Sequence, residues 1–158
     1  MARYIDMPLQ HIHRDMLGLM RRETSREHIE NLIDRLRAGI PNLAIRTTFI
    51  VGFPGETEED FQATLEFIEK VRFERLGVFC YSQEEGSRAA KMENQVPTRT
   101  KNRRHREAMK LQQRIAAEWA EAQKGRTFRV LADQARLGRT EYDAPDVDCR
   151  VVLTKSVP

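Results

Sequence analysis

Residues 46–57, Arg-Thr-Thr-Phe-Ile-Val-Gly-Phe-Pro-Gly-Glu-Thr, are where this sequence first offers chemistry. A β-branched run enters a Gly/Pro turn and leaves it into a helix opened by Thr57 and made acidic by Glu58, Glu59 and Asp60. In α/β folds the place just beyond the carboxyl end of a strand is where ligands bind. Gly52 and Gly55 lack a Cβ, so backbone N–H and C=O groups can approach a flat ligand closely, and Pro54 stiffens the turn. Three carboxylates at the start of the following helix repel phosphate and leave an adenine or a zwitterion as compatible ligands. The same residues also suit an ordinary βα turn without a ligand.

Other reactive side chains are dispersed. Cys80 and Cys149 fit no short metal-ligand spacing and read as one buried and one partly exposed thiol in a reducing compartment. His11, His13, His28 and His105 lack ligand spacing to carboxylates or cysteines, so no metal ligand and no catalytic residue is assigned. The net charge of +3 conceals a polarity, because residues 96–130 hold ten Lys or Arg against three Glu. Five of those cations lie within 99–106, with no aromatic residue between them to stack on a base. This segment reads as a solvated helix face, with RNA phosphate contacts as the alternative. No stretch approaches the roughly 18 apolar residues of a membrane span, and the start has no apolar signal region. The expectation is a cytoplasmic protein with no membrane partner.

The elements that must position these residues alternate. Residues 3–8 form a short strand, 14–22 a helix, and Thr24-Ser25-Arg26-Glu27 a capping box opening a second helix with Ile29, Leu32, Ile33 and Leu36 on one face. Residues 44–51 form a strand whose near-continuous apolar end predicts burial on both faces. Thr57 caps the next helix, which turns Phe61, Leu65 and Ile68 inward, and residues 76–81 are the third strand. Strand–helix–strand–helix–strand with short loops predicts parallel neighbours, a piece of an α/β barrel. A long helix follows over 97–123 with Met109, Gln112, Ile115, Trp119 and Ala122 on one face and Gly125 as its stop. Residues 126–135 and 148–154 alternate like strands, with turns at 137–139 and 143–146.

Four separated blocks, in order, resemble the radical-SAM methylthiotransferase family. The superfamily motif Gly-x-Ile-x-Gly-x-x-Glu is met at Ile50 and Gly52. Thr48 replaces its first glycine and Gly55 stands at the acidic position with Glu56 one later, a departure that the methylthiotransferase form shares. Residues 4–11 with 16–22 resemble the strand and helix that precede the cofactor strand in that family. Gln10-His11, the stretch 77–86, and the acidic loop within 138–148, which resembles a C-terminal TRAM β-barrel module, favour the ribosomal-protein branch over the tRNA branch.

The resemblance implies an α/β fold: the C-terminal half of a radical-SAM, partial TIM-like barrel over 1–123, including the connecting helix 97–123, then a truncated TRAM module over 124–158. It implies S-adenosyl-L-methionine as cofactor, with Gly52, Phe53, Pro54 and Gly55 supporting adenine, Arg46 meeting the cofactor's carboxylate, and Gln10 a polar contact nearby. It implies radical chemistry that inserts a methylthio group at the β-carbon of an aspartate in a small-subunit ribosomal protein, free or in a ribosome assembly intermediate. The family's 4Fe-4S clusters need a Cys-x-x-x-Cys-x-x-Cys set that this sequence lacks, so these 158 residues alone are expected to be inactive. The alternatives are a piece of a tRNA-modifying methylthiotransferase and a non-catalytic RNA- or protein-binding remnant.

Overall fold

The computed structural model describes residues 3–156, so the outermost residues of the two expected segments, 1–2 and 157–158, lie outside it. Strands β1 (Tyr4–Asp6), β2 (Ala44–Val51) and β3 (Arg75–Cys80) form a parallel sheet in that order. Helices α1 (Arg14–Leu19) and α2 (Arg26–Gly39) connect the first two strands, and α3 (Glu58–Val71) connects β2 to β3. After a 3₁₀ turn at Ala89–Lys91, α4 (Thr98–Glu121) packs on α3, β3 and β2. The alternation expected from the sequence is the alternation found.

Burial along β2 corrects one expectation. Ile45, Thr47, Phe49 and Val51 are fully buried, whereas Arg46, Thr48 and Ile50 are only half-buried. The strand is thus covered by helices on one face, and its apolar end places Phe49 and Val51 on that face and Ile50 on the other. Phe49, Phe67 and Phe73 meet edge-to-face or tilted, with centroids 5.8–6.3 Å apart, at the centre of the covered face. Parallel register sets Arg46 beside Arg75 and Ile50 beside Phe79 on the open face, where Phe79 remains 61% exposed.

Helix ends differ from expectation in detail. Helix α2 is capped by Ser25, whose Oγ accepts the His28 N–H at 3.2 Å, so Thr24 is not the cap and no box with Glu27 forms. Thr57 does cap α3, in a capping box with Asp60. Helix α1 stops at Leu19 rather than residue 22, because Arg21 adopts φ 56° and the Arg22 N–H turns back to the Leu17 carbonyl at 2.8 Å.

The tail is a second sheet, β4 (Val130–Gln134), β5 (Leu137–Thr140) and β6 (Val151–Val152), antiparallel throughout. Residues 137–139, expected to be a turn, are strand. Gly138 is there because a Cβ would stand 2.5 Å from the Leu131 carbonyl oxygen, so the two backbones meet only without one. The loop 143–148 fastens this sheet to the base of the parallel one. Asp143 Oδ1 accepts from Arg75 Nη2 at 2.5 Å, and Asp148 accepts from Arg46 Nη1 at 2.8 Å and Tyr4 Oη at 2.9 Å. Tyr142 is buried edge-on against Trp119 and Phe128.

Candidate functional site

A crevice opens where β1 and β2 end. Past β1 the chain turns at Gln10, in a left-handed conformation with φ 71°, and is stitched to β2 on both sides. The Gln10 N–H donates to the Thr48 carbonyl at 2.8 Å, and the Gln10 carbonyl accepts from the Ile50 N–H at 2.9 Å. A cavity of about 330 Å³ lies over this junction. Gln10, Ile50 and Phe53 line it from the sheet side, Leu19 and Met20 from the end of α1, and Ala89 and Met92 from the 3₁₀ turn and its exit. Three guanidinium side chains, Arg21, Arg22 and Arg88, complete its wall. Such a space takes a largely apolar, flat group carrying a polar or anionic end.

The loop beneath it is held by a buried carboxylate. Glu56, its side chain fully buried, accepts the Gly52 N–H at Oε2, 2.5 Å away, and Arg104 Nη1 at the same oxygen, also 2.5 Å. Its Oε1 lies 3.2 Å from Nε2 of the fully buried His11. His11 Nδ1 accepts the His13 N–H at 3.0 Å, which leaves the ring proton on Nε2, donated to Glu56. His13 Nδ1 in turn is 2.6 Å from Asp60 of the α3 cap. One acid therefore joins the exit of β1, the turn after β2 and the long helix. Arg103 donates to Glu58 at 2.6 Å and, with Arg104, holds that carboxyl below the usual carboxylate range.

Not every residue singled out from the sequence comes to the crevice. Gln10 and Phe53 line it, and Gly55 approaches it, an added Cβ there standing 3.6 Å from Leu19. Gly52 and Pro54 are buried below, Gly52 under the aliphatic stem of Lys101, which a Cβ would overlap. The N–H groups of Gly52 and Gly55 are engaged by Glu56 and by the Asn94 carbonyl, so neither is left for a ligand. Arg46 is elsewhere: four residues before Ile50, about 13 Å along the strand, it is bound to Asp148 and Asp6. Here the guanidinium that was expected to meet a cofactor carboxylate serves the tail.

The basic run 99–106 is likewise largely consumed. Lys101 donates to the Tyr81 carbonyl at 3.0 Å, Arg103 pairs with Glu58 and Glu107, and Arg104 is buried on Glu56, while Arg99 and Arg106 stand exposed. Sequence reasoning missed Arg21, Arg22, Arg88 and Met92 because they sit in irregular segments where periodicity carries no signal. It missed the His11–Glu56–Arg104 link because its partners are 45 and 48 residues apart.

Residues 2–68 match the profile of the Radical SAM superfamily. Over 157 residues, 99% of the chain, it is 54% identical to the ribosomal protein uS12 methylthiotransferase RimO of Opitutus terrae. It is 52% identical to the protein of that name from Akkermansia muciniphila, again over 99% of the chain. The chain spans about a third of the length of these curated relatives, 33% and 35%. Among solved structures, coproporphyrinogen III oxidase (HemN) from Escherichia coli, described as a radical SAM enzyme, superimposes with a TM-score of 0.63 at 18% identity, covering 88% of this chain and 39% of that one. That likeness concerns the fold.

Proposed function

We propose that the chain is part of a radical-SAM methylthiotransferase, an enzyme placing a methylthio group on the β-carbon of an aspartate in ribosomal protein uS12. The observation that carries the proposal is identity near one half, over nearly the whole chain, to proteins named for that substrate. The reading places the work in the cytoplasm, where ribosomal proteins are assembled, and no described helix is long and apolar enough to cross a membrane. We divide the chain after residue 123, because β4–β6 share no strand pairing with β1–β3.

The crevice fits S-adenosylmethionine. Phe53 and Ile50 offer apolar surface to an adenine, and Gln10 offers an amide to its polar edge. The cofactor's chemistry, when bound, is activation of an otherwise inert C–H bond. The chain's own part is to hold and orient it and to keep water from the reacting centre. Glu56 does so indirectly, fixing the Gly52 turn from below.

The residues present do not fit an iron–sulfur cluster. Such a site needs three thiolates, and the sequence has two cysteines, Cys80 at the close of β3 and Cys149 in the tail. Burial also pushes the Cys80 thiol up, away from the thiolate form. Cluster chemistry is assigned to residues outside this set.

Mass spectrometry of uS12 from cells lacking the gene tests the proposal. The expected result is an aspartate without its methylthio group, restored by the gene. An unchanged uS12 with methylthio groups lost from tRNA adenosines would replace this reading with the tRNA branch.

A further inference from the structure

We propose that Arg21, Arg22 and Arg88 form a carboxylate-binding rim on the crevice, an assignment that rests on the cofactor reading above and extends it to the anionic end of a ligand.

Arginines elsewhere near the sheet are spoken for: Arg46 on Asp148, Arg75 on Asp143, Arg104 on Glu56. Arg21, Arg22 and Arg88 are exposed and make no side-chain hydrogen bond or ion pair among the described residues. No acidic residue lines the cavity they border. Three cations without a described partner around an apolar space of about 330 Å³ give its mouth a positive potential, which favours an anion carried on an apolar body. A guanidinium fork matches a carboxylate with two parallel N–H···O bonds.

The backbone adds an independent observation. Arg21 occupies the left-handed position that ends α1, with φ 56°, its N–H on the Gly18 carbonyl at 3.0 Å. Glycine is the residue that position ordinarily takes. Gln10, across the same cavity, is also left-handed at φ 71°. Arg72 ends α3 in the same left-handed way, so the conformation itself is ordinary, and its use here is to turn the Arg21 and Arg22 side chains onto the cavity rim.

The ligand is a carboxylate, and two sources offer one: the methionyl end of the cofactor and the side chain of the target aspartate.

Calorimetric titration of the chain distinguishes these. The ligands are 5′-methylthioadenosine, which has no carboxylate, S-adenosylhomocysteine, which has one, and adenosine monophosphate. Aspartyl and asparaginyl forms of a short peptide are then added over saturating S-adenosylhomocysteine. The variants are Arg21→Gly and Arg88→Gln. Arg21→Gly suits the backbone and is expected to keep or raise the melting temperature, so lost binding cannot be misfolding.

The cofactor source predicts S-adenosylhomocysteine binding at least about tenfold tighter than methylthioadenosine, with the gap closing in both variants. The aspartate source predicts a preference for aspartyl over asparaginyl peptide that both variants abolish. Aspartyl selectivity without any nucleoside binding would keep the rim and overturn the cofactor reading. Nucleoside binding with no carboxylate preference, or with adenosine monophosphate favoured, would overturn the rim and leave the cofactor reading standing. Absence of all binding would overturn both.

Discussion

Asp148 Oδ1 lies 2.8 Å from Nη1 of Arg46, joining residues 102 apart in sequence. The same carboxylate takes the Tyr4 hydroxyl and, through Oδ2, the Ala144 N–H. With Asp143 on Arg75, the acidic loop is thereby a latch between the base of the parallel sheet and the tail. The Asp143 and Asp148 carboxylates are spent inside the molecule, whereas Asp146 is exposed, and the tail meets the sheet at the end opposite the crevice.

Opening that latch should detach the tail and leave the crevice intact. Both aspartates are nearly buried, so Asp143→Asn strands Arg75 and should cost about 3 kcal/mol, while Asp148→Asn leaves Arg46 only Asp6 and should cost less. Trp119, the single tryptophan, sits under Arg75 with its ring centroid 4.8 Å from the guanidinium carbon, so its fluorescence reports the change. Stability unaltered within about 0.5 kcal/mol would show the latch to be a surface pair.

The latch is expected to fail in alkali. Burial and the hydrogen bond to Asp148 raise the Tyr4 phenol to about 12, against 10.0 for an unperturbed tyrosine. The folded state thus holds this proton more tightly than the unfolded chain does. Its contribution is intact below pH 10 and is lost as the pH climbs toward about 12. Ultraviolet phenolate titration should show the highest-pH step vanish in Tyr4→Phe. A step unchanged by that substitution would place the raised phenol elsewhere.

Glu56 and Arg104 should prove interdependent. Arg104→Met leaves the Glu56 carboxylate buried with fewer partners and is expected to lower unfolding free energy by roughly 3–5 kcal/mol. Adding Glu56→Gln removes the stranded charge and should recover part of that loss, read as a shift of the urea midpoint. Strictly additive losses would contradict a coupled buried pair.

Much of this was legible in the sequence, and the misses share a cause. Strand order, the Thr57 cap and the span of α4 follow from period, capping residues and short connections, all local signals. The partner of Arg46 was not legible, because a strand's sequence tells which face a residue takes but not what covers that face, and Asp148 covers it from the far end of the chain. Gly138 was read as a turn because the same absence of Cβ serves a turn and a close backbone approach. Arg21 and Arg88 were invisible because their positions depend on how α1 and the 3₁₀ turn close over the sheet.

The account stands most directly on where the cofactor's adenosine half settles. Amide chemical-shift mapping of the chain with S-adenosylhomocysteine measures that. The account predicts shifts clustered at Gln10, Arg21, Ile50, Phe53 and Met92, with Arg46 and Val147–Cys149 unmoved. Shifts centred on Arg46, or none anywhere, would contradict it.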